Sequence, residues 1–369
     1  MDIRKIARRC VLELSDYVPG KPIEEVRREL GLTDILKMAS NENPLGTSPK
    51  ALEAMMQDLK ENTHYYPEGS APMLTERLAA LLGLRQEQFF VNNGEDGVIA
   101  AIGLGFIDPG DEVITSQFTF PAYKNVTGRM DGKIILTPML PGYRFDVDAI
   151  LSAVTERTKI VFLCNPNNPT GTIISRDAFD RVISRVPEHV LVVCDEAYYE
   201  FAEDPDYPQT IPYLEKFPNL MILRTFSKAM GLAGVRVGYA IAHPEIIRVL
   251  NKVKDPFPVN RLAQVGALAS LDDHEFIQRS VKAAREGRQQ FYRTLDALGI
   301  SYCPSQTNFV FIDLGQPAQP VFEAMLRQGV IVRPLGPQGL PNAIRITIGT
   351  REQNERALQA LAIALGKTL

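Results

Sequence analysis

Short apolar runs recur from residue 89 onward in this chain, at 89–91, 112–115, 134–137, 159–164, 191–194, 220–225 and 239–242. They are too short for helices and rich in branched residues, so they read as buried strands. Between them, 97–107, 147–154 and 177–185 carry the apolar spacing of helices. Asp108-Pro109-Gly110-Asp111 is a helix stop followed by a turn. This alternation predicts an α/β fold, a mostly parallel sheet flanked by helices on both faces.

The chain on either side of this block is patterned differently. Helical spacing marks 49–61 and 73–82, after an irregular polar loop at Ser40-Asn41-Glu42-Asn43-Pro44-Leu45-Gly46. A long helical pattern runs over 273–298. Strands at 309–312, 330–333 and 344–348 then alternate with helices at 320–328 and from 351. That tail reads as a smaller α+β domain. The expected division is an N-terminal arm over 1–40 that belongs with the small domain, a large domain over 41–255 and the small domain over 256–369. The proline pair in Asp255-Pro256-Phe257-Pro258 marks the boundary, because proline breaks a regular helix.

Composition narrows the function. The 369 residues are 45% hydrophobic and 23% charged, with a net charge of −4, which offers no basic excess for nucleic acid or an anionic membrane. No apolar run is long enough for a membrane span or a secretory leader, so a reducing cytoplasm is the expected location. The four cysteines form no CxxC pair. The four histidines, His64, His189, His243 and His274, lack metal-ligand spacing, so no metal is expected.

Candidate chemistry collects just after successive strands, where open α/β sheets hold their ligands. Thr225-Phe226-Ser227-Lys228 follows one run, with Arg236 close behind: a lysine amine among two hydroxyls and a guanidinium suited to phosphate. Asp195-Glu196-Ala197-Tyr198 follows another, and a carboxylate at a buried strand end needs a cationic partner or a capping role. Asn165-Pro166-Asn167-Asn168-Pro169-Thr170-Gly171 is a strong turn that presents the Asn168 amide. Asn92-Asn93-Gly94-Glu95-Asp96-Gly97 opens a helix whose free amides suit a phosphate. Phe118-Thr119-Phe120 supplies an aromatic able to stack on a flat ring.

Taken in this order, Asn168-Pro169-Thr170-Gly171, Asp195-Glu196-Ala197-Tyr198 and Ser227-Lys228 with Arg236 resemble the fold-type I aminotransferases that depend on pyridoxal 5′-phosphate (PLP), and the resemblance covers essentially the whole chain. Tyr17-Val18-Pro19-Gly20-Lys21, the loop 40–46, Tyr65-Tyr66-Pro67 and Ile344-Arg345-Ile346-Thr347-Ile348-Gly349 make it most similar to the histidinol-phosphate aminotransferase branch. The resemblance implies that Lys228 bonds the cofactor aldehyde and moves the proton at the substrate Cα. It implies that Asp195 pairs with the ring nitrogen, Asn168 and Tyr198 with the ring hydroxyl, and Phe120 with the ring face. Thr225, Ser227, Arg236 and the amides near Glu95 and Asp96 would hold the cofactor phosphate. Tyr66 would reach the phosphate in a neighbouring subunit, which implies a homodimer. Tyr17, Asn43, Asn168, Arg333 and Arg345 would contact substrate, the arginines taking a phosphate monoester in one half-reaction and the carboxylates of 2-oxoglutarate or glutamate in the other.

Two departures stand out. The family carries a small residue where Glu95 stands and a glutamate where Gly97 stands, and a carboxylate beside a phosphate is unfavourable unless it turns away. The stretch Gly336-Pro337-Gln338-Gly339-Leu340-Pro341-Asn342 also occurs in relatives that accept aromatic amino acids. A phenylalanine or tyrosine donor is therefore an alternative, as are a threonine-phosphate decarboxylase and a domain that only binds the cofactor.

Overall fold

A computed structural model describes residues 1–14 and 21–368, so Tyr17 and the turn at Pro19-Gly20 lie outside the described residues. The large sheet has seven strands: β1 (Phe89–Asn92), β2 (Glu112–Ser116), β3 (Lys133–Thr137), β4 (Thr158–Cys164), β5 (Leu191–Asp195), β6 (Leu220–Thr225) and β7 (Gly238–Ala242). Their order is β1-β7-β6-β5-β4-β2-β3. Only β7 runs antiparallel to its neighbours; every pairing from β6 across to β3 is parallel. Helices cover both faces, so the central strands are apolar without alternation. Ile160 to Leu163, Val192 to Cys194 and Leu220 to Leu223 are all fully buried. Each such aliphatic side chain contributes roughly 1.5–3 kcal/mol.

The helices that matter for the site are α1 (Pro49–Glu61), α2 (Gly94–Phe106), α3 (Ala122–Arg129), α4 (Arg261–Ser270), α5 (His274–Leu298) and α6 (Arg351–Ala364). The Ser48 hydroxyl caps α1 by accepting from the Ala51 amide, with Pro49 at the first position. Helix α3 has no clear apolar period, since Lys124, Asn125 and Gly128 interrupt it. Burial of Tyr123 and Val126 holds it in place.

The small sheet is antiparallel, with β8 (Ser301–Cys303), β9 (Phe309–Asp313), β10 (Arg333–Pro334) and β11 (Ala343–Thr347) in the order β8-β9-β11-β10. The single strand expected over 330–333 is divided. Val330–Ile331 pairs with Leu36–Lys37 near the N-terminus, while Arg333–Pro334 joins the small sheet. Only the folded chain brings in the distant Leu36–Lys37 edge that captures the first half.

The packing does not change at 255. Helix α4 packs against α1, and its Ala263 and Ala267 join the large core. The passage between cores runs along α5, which gives Ala284 to the large core and Phe291, Leu295 and Leu298 to the small one. A proline pair ends a helix without ending a core, and α4 still has small residues to bury. The N-terminal arm also divides. Val26 packs with Leu326 and Ile331 beside the small sheet, whereas the Cys10 thiol donates to the Arg129 carbonyl on α3.

Candidate active site

Parallel strands deliver their following loops to one edge, and five loops of the large sheet meet the small sheet there. Between them lies a cavity of about 380 Å³. Asp195, Tyr198, Lys228 and Arg236 line it from the large side, Arg333 and Arg345 from the small side.

Asp195 closes β5 and is 1% exposed. One carboxylate oxygen accepts from the Ala197 amide at 3.1 Å, the other from the Tyr123 hydroxyl of α3. Tyr123 is locked in turn by stacking on Phe162, with centroids 4.4 Å apart. The adjacent Glu196 leaves the cavity and pairs with the buried Arg224 at 2.9 Å. Two consecutive acidic residues thus serve separate purposes.

Lys228 stands in the loop after β6, with its amine 5.5 Å from the Tyr198 ring centroid. Desolvation of the amine, with the Arg345 guanidinium facing it, lowers its pKa to about 8. An amine with that value is partly free base near neutral pH and can act as nucleophile or proton carrier.

The far end of the cavity is built for an anion. The Thr225 hydroxyl donates to the Ser227 hydroxyl at 2.9 Å. Arg236, held at φ 62°, donates to the Ala233 carbonyl and pairs with Asp96 at 3.3 Å. The Asn93 side chain makes no capping hydrogen bond to the first turn of α2, which leaves its leading amides available to an anion. Gly94 at φ +71° is required here, because a Cβ would lie 2.5 Å from an Arg236 nitrogen.

Across the cavity, Arg345 is 7% exposed. It donates to the Asn168 side-chain carbonyl and to the Ala39 backbone carbonyl. That takes the carbonyl end of Asn168 and leaves its NH₂ end as the donor. The Tyr198 hydroxyl accepts from the Asn41 amide at 2.8 Å. Burial pushes the Tyr198 phenol up, while Arg345 and Asn41 oppose that shift. Arg333 lies directly opposite Arg345 in the β10–β11 register. Phe120 lines the cavity beside Pro121 and meets Tyr123 edge-on at 5.7 Å.

The fold therefore gathers Glu95, Asp96, Phe120, Asn168, Asp195, Tyr198, Thr225, Ser227, Lys228, Arg236, Arg333 and Arg345 around one cavity. Asn43 is not among its lining residues. Its amide donates to the Lys228 and Ala229 carbonyls and to Ser280, so it braces the lysine loop. Asn41, two residues earlier, lines the cavity instead, at φ 57°. Tyr66 is 81% exposed and stacks on Phe257, away from its own chain's cavity. Tyr17 lies outside the described residues. Three contributors had no distinct signal in the sequence: Asn41, Tyr123 and Gln338. Asparagine tolerates the left-handed backbone that Asn41 adopts, but that is seen only in the fold.

Comparison with known proteins agrees with this geometry. Residues 33–361 match the model of the aminotransferase class I and II family. The chain belongs to that family, whose members transfer amino groups with PLP. Within it, the chain is 45% identical to the histidinol-phosphate aminotransferase of Moorella thermoacetica, covering 96% of this chain and 92% of that one. It is 46% identical to the histidinol-phosphate aminotransferase of a Geobacillus species, over 94% and 95%. The crystal structure of histidinol-phosphate aminotransferase from Sinorhizobium meliloti with PLP superimposes with a TM-score of 0.90 at 27% identity, over 98% of both chains.

The residues present fit PLP. The enclosed Lys228 amine, the Asp195 carboxylate, the uncapped first turn of α2 and the room that Gly94 leaves for Arg236 form a donor set for an aldehyde, a ring nitrogen and a phosphate. Glu95 also lines the cavity, and its carboxyl is pushed well above the usual carboxylate range, chiefly by burial and then by the Asp195 carboxylate.

Proposed function

We propose that this aminotransferase moves the amino group of L-histidinol phosphate to 2-oxoglutarate, giving imidazole-acetol phosphate and L-glutamate, a step of histidine biosynthesis. The observation that carries the reading is the two-arginine wall, Arg333 beside Arg345, facing Lys228 in a chain about 45% identical to histidinol-phosphate aminotransferases. PLP supplies the amino-group carrier and the electron sink. Lys228 would hold the cofactor at its aldehyde end, and its amine would carry the proton at the substrate Cα. Asp195 holds the ring nitrogen, and Asn168 and Tyr198 hold the ring oxygen. Phe120 covers one ring face. Arg236, Thr225, Ser227 and the amides of Glu95 and Asp96 hold the phosphate. Arg345 and Arg333 hold the phosphate of one substrate and the carboxylates of the other, as forked donors suited to both.

The working unit in this reading is a homodimer in the cytoplasm. Supporting it, Leu52, Met56 and Leu59 form an exposed apolar stripe on α1, close in sequence to the exposed Tyr66, which would enter the partner's phosphate site. Tyr17 would close over the substrate. Among the described residues no helix is long and apolar enough to cross a membrane.

The test is an absorbance titration of the PLP-loaded protein with L-histidinol phosphate, no keto acid present. Conversion to the pyridoxamine form is expected, with phenylalanine and tyrosine at least tenfold less efficient. Conversion by the aromatic amino acids alone would move the assignment to them.

A further inference from the structure

Three segments converge on Asn41, and the hydrogen bonds among them run in one direction. Asn41 is 1% exposed and held at φ 57°. Its backbone amide donates to the Thr347 hydroxyl of β11 at 2.9 Å. The Thr347 hydroxyl donates in turn to Asn41 Oδ1 at 3.1 Å. That leaves Asn41 Nδ2 as the end that faces Tyr198, and it donates to the phenol oxygen at 2.8 Å. The reverse setting of the amide would deprive the Thr347 hydrogen of this acceptor. The Asn308 amide donates to the Asn41 carbonyl at 3.0 Å and pins the loop from a third side. The Tyr198 ring is fixed as well, meeting Phe309 of β9 edge-on at 5.3 Å.

A phenol that accepts from an amide keeps its own hydrogen to give. The groups facing Tyr198 are Arg345 from β11, Lys228 from the loop after β6, and Asp195 and Cys164 from the ends of β5 and β4. Arg345 offers only donors. The Asp195 oxygens already accept from the Ala197 amide and the Tyr123 hydroxyl, and the Cys164 thiol donates to the Pro166 carbonyl. We propose that Asn41 is a positioning residue for the cofactor: its amide, locked by Thr347, donates to the Tyr198 hydroxyl and so turns that hydroxyl's own hydrogen toward the ring oxygen. The proposal rests on the reading of Tyr198 as a ring-oxygen partner. A hydrogen bond received by a hydroxyl strengthens the one it gives. Asn41 therefore adds to the stabilisation of the ring-oxygen anion and lowers the pH at which the bound cofactor ionises.

The test follows the visible absorbance of the PLP-loaded full-length protein against pH and reads the midpoint of the bound cofactor's ionisation. Asn41→Gly removes the donor and keeps both backbone hydrogen bonds, since glycine adopts the left-handed backbone without strain. Thr347→Val releases the Asn41 amide from its lock. Tyr198→Phe, alone and combined with each, is the reference. Tyr198→Phe is expected to raise the midpoint by about one to two pH units and Asn41→Gly by about half a unit. Thr347→Val is expected to shift it the same way by less. In the Tyr198→Phe background Asn41→Gly is expected to add less than about 0.1 unit. An unchanged midpoint in Asn41→Gly overturns the proposal. A fall overturns it too, because the amide would then have been taking the phenol hydrogen. An equal rise in both backgrounds does the same, since Asn41 would act without Tyr198. If Asn41→Gly does not load the cofactor, Thr347→Val carries the same cycle with the same criteria. An unchanged midpoint in Tyr198→Phe alone removes the reading of Tyr198 itself, whatever the Asn41 variants do.

Discussion

The two walls of the cavity are built differently. The large-domain wall comes from loops that each directly follow a strand, and each group has one local fastening, Asp195 to the Ala197 amide, Ser227 to Thr225 and Arg236 to Ala233, supplemented from a distance by Tyr123 on Asp195 and Asp96 on Arg236. The small-domain wall is assembled from segments hundreds of residues apart. Arg345 binds Ala39 and Asn168, and Thr347 binds Asn41. In the proposed function the first wall holds the invariant partner, the cofactor. The second depends on how the small sheet and the N-terminal loop sit against the large domain, and it faces the part of the site where substrates differ. The comparison teaches that reaction type and substrate choice are separable in this molecule.

Variants on each wall test that separation, beginning with the strongest. Lys228→Ala is expected to lower turnover by about 10⁴-fold or more, since it removes both nucleophile and proton carrier. Circular dichroism of the variant should match wild type, and near-normal turnover would defeat the mechanism. On the opposite wall, Arg345→Ala removes a buried charged donor. It is expected to lower kcat/KM for both substrates by about 10²–10³-fold, mainly through KM, with cofactor affinity little changed. A large loss of cofactor binding in this variant would show that the walls are not independent.

Tyr123→Phe deletes one hydrogen bond to the Asp195 carboxylate. A bond to a charged group contributes about 1.5–3 kcal/mol. PLP affinity is expected to fall about 10–100-fold, measured by equilibrium dialysis, while the KM ratio of the two substrates stays fixed. Arg333→Ala should act the other way. Its expected effect is about a tenfold rise in KM for histidinol phosphate and less for 2-oxoglutarate, at unchanged PLP affinity.

The mildest test is pH. Because desolvation lowers Lys228 to about 8, the free amine gains as pH rises and saturates above that value. The rate at which the cofactor-free protein captures PLP, followed by stopped-flow absorbance, should climb to about pH 8 and then level. A climb continuing toward 10 would mean that the lysine is not desolvated as the fold implies.

The comparison also explains which features were legible in the chain. All seven large-sheet strands fell within one residue of expectation at each end, because long buried apolar runs leave little choice of structure. Helix α3 and the divided strand at 330–334 were not legible, since burial and a distant strand edge decide them. The same holds within the site. Lys228, Asp195 and Asn168 announce themselves in compact motifs. Tyr123 resembles any core aromatic until α3 aims its hydroxyl at Asp195, and Asn43 resembles a ligand until its amide is found on the lysine loop backbone.

The amino-acid sequence by itself determined the α/β order of elements, the class of enzyme and the cofactor, because local hydrophobic period and short motifs encode them. Tertiary structure alone decided that Asn41 rather than Asn43 lines the cavity and that α4 belongs to the large core. Those outcomes depend on contacts between residues far apart in the chain. Such contacts are not set until the sheet edges close on one another.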